Sequence, residues 1–433
     1  MRIVIVALGT RGDLQPFVAL AVGLQAAGYA VRVVSAKGDA ASVQRFGIEY
    51  FPLDVDIQEI VAGPEGQART KSDNPLKFIK SHLSNSAFMK GKMAAVQEDI
   101  WQGCQGADAI VYHAGMANVY FMARELGVPG IMASPFPLSA TADYPALLFY
   151  AGPRLGRAYN RLTHFIFERA FWLLSRSAAV AFWRKRPGTQ RPGLMPPSVL
   201  QLASGQPVLA AYSPQLFAPD ATWPANLHVT GAWHLPEEPA WQPPAALRDF
   251  LAAGPPPVYV GFGSMLDAST FDQTLAIVLE ALALANCRGV LALGWNQEKA
   301  DTALPASVFR LGSAPHGWLF PQMAAVVHHG GAGTTAAGLL AGKPTVVVPH
   351  GLDQPAWGQR VHELGAGPRP IPKRELTAAR LAAAIQETAS GPMLARAAHL
   401  GQQLRAENGV GAAVQVVHDF LQGAPANGQV ITC

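Results

Sequence analysis

Cysteine is nearly missing from this chain. The 433 residues hold three, Cys104, Cys287 and Cys433, an odd number spaced too widely for a CxxC metal site or a disulfide framework. A reducing, cytoplasmic setting is the simplest expectation. Charge is also scarce: charged residues make up 14% of the chain, the formal net charge is +4 and the pI is near 9.0. That imbalance fits an anionic small ligand or a membrane surface and is too small to argue for nucleic acid. No apolar run reaches the roughly 18 residues of a membrane-spanning helix. The opening MRIVIVALGTRGD meets Arg11 and Asp13 too soon to read as a secretory leader. No HExxH or DxD arrangement argues for a metal, and none is expected.

What is present is the composition of a globular protein, half apolar, with 42 glycines and 35 prolines spread along it. The length suits two domains of about 200 residues with a cleft between them, where ligands usually bind. Ile3 to Leu8 reads as a buried strand, GTRGD as a glycine loop, and Leu14 to Ala27 as a helix closed by Gly28. The unit recurs with strands at Ala30 to Ser35, Ala109 to Tyr112 and Gly130 to Ala133, and a helix around Val119 to Leu126. Buried strands alternating with helices predict a parallel α/β sheet. After the proline-rich passage 235–257, taken as a linker with one short helix, the pattern resumes. Strands are expected at Val258 to Gly261, Gly289 to Gly294, Val308 to Leu311, Ala325 to His328 and Thr345 to Val348, with a helix over Phe271 to Ala285. The expected division is therefore an N-terminal domain over 1–234, the linker, a C-terminal domain over 258–391, and helices over 392–433 that return to the first domain.

Residues 154–191 mix Phe, Trp and Leu with basic side chains at helical spacing. Two readings stay open: a helix pair with an apolar core face and a solvated basic face, or a greasy acceptor pocket beside an anionic membrane.

The densest signal is HHGGAGTTAAG, His328 to Gly338, between two apolar runs. In a strand-to-helix turn glycines let a ligand approach the backbone, and the exposed N–H groups at the helix start favour negative charge, so the turn suits phosphate. Thr334 and Thr335 stand where a hydroxyl can cap the helix or donate to a phosphate oxygen. Gly331 to Ala336 formally matches the G-x-G-x-x-A of dinucleotide sites, but Pro349 and His350 stand where a ribose-binding carboxylate belongs.

HHGGAGTT followed by AGKPTVVVPHGLDQPAWGQRV resembles the nucleotide-sugar signature of the GT-B glycosyltransferases, in their sterol 3-β-glucosyltransferase and actinomycete antibiotic branch. GTRGDLQPFVALAVGL, YSPQLFAPDATWPANLHVTGAW and PPVYVGFGSM agree with it in order, leaving about 54–105 and 140–200 without motifs. The resemblance implies two facing Rossmann-like domains, the first binding an acceptor and the second a nucleoside diphosphate sugar, with inverting transfer of a hexose to a hydroxyl. Residue by residue, it implies that His329 contacts the diphosphate and that Gly331, Gly333, Thr334 and Thr335 form the phosphate turn. Ser264, in a loop shaped by Gly261 and Gly263, would lie near the same phosphates. Asp353 and Gln354 would hold the sugar hydroxyls, a carboxylate accepting and an amide both donating and accepting. Trp357 either closes the sugar subsite or belongs to the core. The segment Ser313 to Met323, with His316 and Trp318, would cradle the nucleobase. His328, one residue before His329 on a strand, points to the other face and is expected to be structural. One departure is His350 and Gly351, where the sterol branch commonly has aromatics.

Transfer needs the acceptor hydroxyl deprotonated as it attacks. Gly12-Asp13-Leu14-Gln15-Pro16 carries aspartate where the plant enzymes have histidine, so Asp13 is the expected base; as a plain helix cap it needs no further role. The expected enzyme is a UDP-sugar-dependent hexosyltransferase acting, without cofactor or metal, on a sterol, triterpenoid, polyphenol or macrolide, with peripheral membrane contact through 154–191. A dTDP-sugar donor, a catalytically silent partner of another transferase, and other GT-B activities are the alternatives.

Overall fold

The computed structural model describes residues 1–57, 87–186, 191–235, 241–263, 270–293, 303–312 and 314–423. Within them the chain forms two parallel sheets. The first has the order β3-β2-β1-β4-β5-β6-β7, built from β1 (Arg2–Val6), β2 (Ala30–Ala36), β3 (Glu49–Leu53), β4 (Ala109–His113), β5 (Gly130–Ser134), β6 (Val208–Ala210) and β7 (Leu227–Val229). The second has the order β10-β9-β8-β11-β12, from β8 (Val258–Gly261), β9 (Gly289–Ala292), β10 (Val308–Leu311), β11 (Ala325–His328) and β12 (Thr345–Val347). Strands β4, β5, β8 and β11 are almost wholly buried because helices cover both faces, which explains their unbroken apolar runs.

Chain order reverses at β1, which pairs with β2 on one side and β4 on the other, and again at β8, flanked by β9 and β11. Loops leaving the C-terminal ends of strands at such switch points diverge and open a crevice. The loop after β1 and the loop after β11 are the two glycine-rich turns of the sequence.

The first turn leads into α1 (Arg11–Ala26), which starts three residues before the expected Leu14. The Asp13 carboxylate accepts from the Thr10 N–H at 2.7 Å, the acid arm of a capping box, and this local bond moves the helix start forward. Next come α2 (Ala87–Gly103), α3 (Val119–Glu125) and α4 (Arg157–Arg184). The last corrects the expected helix pair: it is one helix of 28 residues, since no glycine or proline interrupts it. Its inner face buries Thr163, His164, Trp172, Phe182 and Trp183.

The short linker helix is Ala245–Ala252, and residues 236–240 of the linker lie outside the described residues. The second sheet is covered by α5 (Phe271–Leu284), α6 (Ala332–Leu340), α7 (Gln354–Glu363) and α8 (Ala378–Glu387). Of the last two helices, α9 (Gly391–Arg405) packs on α6, whereas α10 (Gly409–Gly423) crosses to α1 of the first domain. Val410 and Val414 of α10 sit over Gly23, and Ala413, Val417 and Leu421 join the core beneath the first sheet.

The domains also meet directly. Phe217 packs edge-on against Trp357 at 5.4 Å, the Tyr150 hydroxyl donates to Glu363 at 2.6 Å, and Arg154 pairs with the same carboxylate at 2.5 Å. Arg360 donates to the Leu216 carbonyl.

Candidate active site

The acceptor side is built on the loop after β1. One oxygen of Asp13, Oδ2, accepts from the Thr10 N–H at 2.7 Å and from its hydroxyl at 3.0 Å; the other, Oδ1, faces Nε2 of His113 at 3.8 Å. The Asp13 side chain keeps 21% of its surface exposed. Asp13 is thus the third residue of its helix and a cap through one oxygen only, so the capping role leaves the second oxygen available.

The donor side is the turn after β11. His328 is fully buried and its Nδ1 accepts from the Gly330 N–H at 2.9 Å, which fixes the turn. His329 lies in a slot between two glycines. A Cβ on Gly331 would stand 2.6 Å from its Nε2, and one on Gly263, whose φ is +58°, 3.2 Å from its Cε1. Burial pushes the His329 pKa down to about 4, so at neutral pH the imidazole acts as a hydrogen-bonding group rather than a cation.

Gly331 caps α6 with no side-chain hydrogen bond, so the first N–H groups of the helix face the crevice. Gly333 is exposed and Thr334 half-buried. Thr335 does not belong with them: it is fully buried and its hydroxyl donates back to the Gly331 carbonyl at 2.9 Å, so it holds the turn from behind. A Cβ on Gly333 would come within 3.9 Å of the Gly12 Cα, which puts the phosphate turn against the loop that carries Asp13.

The sugar side is the loop after β12. Leu352 takes a left-handed backbone at φ +58°, a conformation that costs a β-carbon residue about 1–2 kcal/mol. The loop is held there by Gln354, whose Oε1 accepts from the His350 N–H at 2.8 Å and the Gly351 N–H at 3.3 Å. That use of the carbonyl leaves the Gln354 amide N–H₂ outside these two bonds. Asp353 accepts from the Trp357 indole N–H at 2.7 Å. Burial, with the charge of Asp13 adding to it, raises the Asp353 pKa to about 6. Trp357 itself is 3% exposed against Phe217, so of its two expected roles the structure selects the core, from which it orients Asp353.

Of the nucleobase residues, His316 stacks on Phe320 at 4.3 Å, and the half-buried Trp318 packs on Trp241 of the linker at 4.9 Å. Ser264 and Ser313 lie outside the described residues.

Residues 3–145 match the glycosyltransferase family 28 N-terminal domain and residues 276–419 the erythromycin biosynthesis protein CIII-like C-terminal domain. Both sheets and their crevice recur in solved structures. The glycotransferase of kitacinnamycin superposes with a TM-score of 0.67 at 22% identity, over 97% of this chain and 99% of that one. The glycosyltransferase VinC, solved in complex with DTDP, gives 0.67 at 19% identity, over 98% and 100%. The chain has the GT-B fold. Among curated proteins, the sterol 3-beta-glucosyltransferase of Aspergillus oryzae is 34% identical over 98% of this chain, which spans 30% of that relative's length.

The structure brings together Asp13, His329, Gly331, Gly333, Thr334, Asp353 and Gln354, drawn from three loops and both domains. Sequence reasoning missed two further residues, Trp241 and His113, and gave His350 only as a departure from the family pattern. Trp241 sits in what reads as linker. His350 is buried, with its Nδ1 on the Val348 carbonyl at 3.0 Å, its ring 5.6 Å from Phe262 and its pKa pushed down to about 3. His113 closes β4, and only its strand-end position could have flagged it.

Proposed function

We propose that the protein transfers a hexose, with inversion, from a nucleoside diphosphate sugar to a hydroxyl of a lipophilic small molecule. The donor is taken as UDP-glucose and the acceptor class as sterols, triterpenoids, polyphenols or macrolides. The reading is carried by one observation: the free oxygen of Asp13 stands on the loop that abuts the open N-terminus of α6. In this reaction Asp13 Oδ1 takes the acceptor proton as the hydroxyl oxygen bonds to the anomeric carbon, and the bond to the diphosphate breaks on the opposite face. The departing charge falls on the N–H groups of Gly333 and Thr334, the Thr334 hydroxyl and His329, with Ser264 added from the β8 loop. Asp353 and the Gln354 amide hold the sugar hydroxyls, and the segment with His316 and Trp318 receives the base. Helix end and side chains, rather than a divalent ion, meet the diphosphate.

The test is nucleoside diphosphate release from UDP-glucose, UDP-galactose and dTDP-glucose, each with and without a panel of sterols and polyphenols. Acceptor-dependent release from one donor supports the reading and selects the sugar, dTDP-glucose included. Acceptor-independent release, or tight donor binding with no release, counts against it.

No helix among the described residues is long and apolar enough to cross a membrane. Peripheral contact rests on α4. Leu162, Phe165, Ile166 and Leu173 recur at helical spacing on its outer face, each 40–55% exposed. Arg161, Arg169 and Arg176 lie among them, Arg169 over the Phe165 ring at 5.0 Å, and the helix's one acid, Glu168, is occupied by Ser198 at 2.5 Å. Such a stripe fits an anionic lipid surface from which the acceptor would be drawn. Salt-sensitive co-sedimentation with phosphatidylserine vesicles, lost when Leu162, Phe165 and Ile166 are changed to Ser, is the expected result. Equal binding by the triple variant would remove the stripe from the account.

A further inference from the structure

His113 ends β4 at the floor of the cleft, 7% exposed, and its Nε2 is buried with no hydrogen-bond partner among the described residues. A buried orphan donor costs about 1–3 kcal/mol and calls for an explanation. The other ring nitrogen has one: Nδ1 accepts from the Gly115 N–H at 3.0 Å. An acceptor at Nδ1 carries no proton, so the neutral ring carries it on Nε2. Burial, opposed in part by the charge of Asp13, lowers the His113 pKa and keeps the ring neutral.

The orphan Nε2 stands 3.8 Å from Asp13 Oδ1, too far for a direct hydrogen bond. An oxygen about 2.8 Å from each would complete both bonds. The ring cannot swing away, because Phe17 and Phe136 flank it at 5.4 and 6.0 Å. The same two rings put apolar surface beside the gap, suited to a hydroxyl borne on a hydrocarbon skeleton.

We propose that His113 and Asp13 form a two-point clamp for the acceptor hydroxyl, His113 donating to its oxygen while Asp13 accepts its proton. The inference rests on the transferase reading and deepens it. With one lone pair engaged by Nε2–H, the other is left to attack the anomeric carbon. As that bond forms, the hydroxyl proton passes to Asp13 Oδ1, and the electron pair of the broken bond leaves with the diphosphate. His113 keeps its proton throughout, so it is a specificity-setting contact for the acceptor and not a second base.

Two measurements decide it. Long-range ¹H–¹⁵N NMR of histidine-labelled protein at pH 7.5 should show His113 neutral with the proton on Nε2; the opposite tautomer or an imidazolium would overturn the clamp. Kinetics with UDP-glucose and cholesterol should show His113→Phe, which keeps the ring volume, losing about 10- to 100-fold in kcat/KM for the acceptor. Its UDP affinity should hold, and His113→Gln, which restores an N–H, should recover a large part of the loss. Equal losses in both variants, or none in His113→Phe, would show that the ring only packs. If the unmodified protein releases no UDP with any acceptor, the transferase reading falls, and the NMR result, which needs no acceptor, still decides the tautomer on which the clamp depends.

Discussion

At the scale of single residues, the two oxygens of Asp13 are unequal: Thr10 holds one and the cleft receives the other. Asp13→Asn keeps the shape and can still accept from Thr10, so it should fold and bind nucleotide normally while turnover drops about 10² to 10⁴-fold. Near-normal turnover in that variant would end the assignment of Asp13 as base. Asp353 offers a check by pH. With its pKa raised to about 6 by burial, it accepts sugar hydroxyls fully only when ionised, so donor affinity should fall as pH is lowered through about 6. Calorimetric titration of UDP-glucose across pH 5 to 8 reads this, and Asp353→Asn should bind weakly with no step. On the diphosphate side, the Cβ of Gly331→Ala would press into His329. Displacing a hydrogen bond to a charged group costs about 1.5–3 kcal/mol, so UDP affinity should weaken by at least about 10-fold.

At the scale of elements, the domains are tied by α7 and by the chain just before α4. Glu363 near the end of α7 receives both the Tyr150 hydroxyl and the Arg154 guanidinium, while Arg360 one turn earlier reaches the Leu216 carbonyl. Asp353, Gln354 and Trp357 open that same helix, so the tie and the loop after β12 share one element. Glu363→Ala strands the phenol of the buried Tyr150 and a guanidinium. It should lower the melting temperature by several degrees, at about 2–4 °C per kcal/mol lost, in a scanning-calorimetry trace. An unchanged melting curve would mean that the other contacts between the domains, Phe217 with Trp357 and Arg360 with Leu216 among them, carry the interface without Glu363.

For the whole molecule, the buried histidines set the acid limit. His329 and His350 have pKa values pushed down to about 4 and about 3, and that of His328 is lower still than the usual value, all mainly through burial. The folded protein refuses protons that the unfolded chain accepts at about pH 6.5, so stability is complete above that pH and is lost as pH falls toward the folded values. At pH 5 the loss is about 2 kcal/mol per histidine. Asp353 works the other way, since its raised pKa makes the folded state the better proton acceptor between about pH 4 and 6, as do Asp39, Glu168 and Glu407, but burial lowers seven of the described histidines. The melting temperature should therefore fall from pH 7 to pH 5, and His350→Asn should flatten the slope. A melting temperature independent of pH over that range would contradict the buried, neutral state of these rings.

Local signals were enough for much of this. Apolar runs broken by glycine located the strands and the phosphate turn, because strand burial and close backbone approach leave their mark in adjacent residues. Asp13, His329, Asp353 and Gln354 were singled out through the resemblance of their short loops to a known family's signature, not by local composition alone. What crosses the chain was not legible. The forward start of α1 depended on one side-chain bond, the unbroken length of α4 on its packing, and the withdrawal of Thr335 and Trp357 from the ligand on which way each helix faced. His113 meets Asp13 only because β4 lies beside β1 in the sheet, which brings together residues 100 positions apart. Periodicity and turn chemistry are properties of neighbours in the chain; the direction of a side chain and the partner it finds are settled only when the sheets and the two domains close on each other.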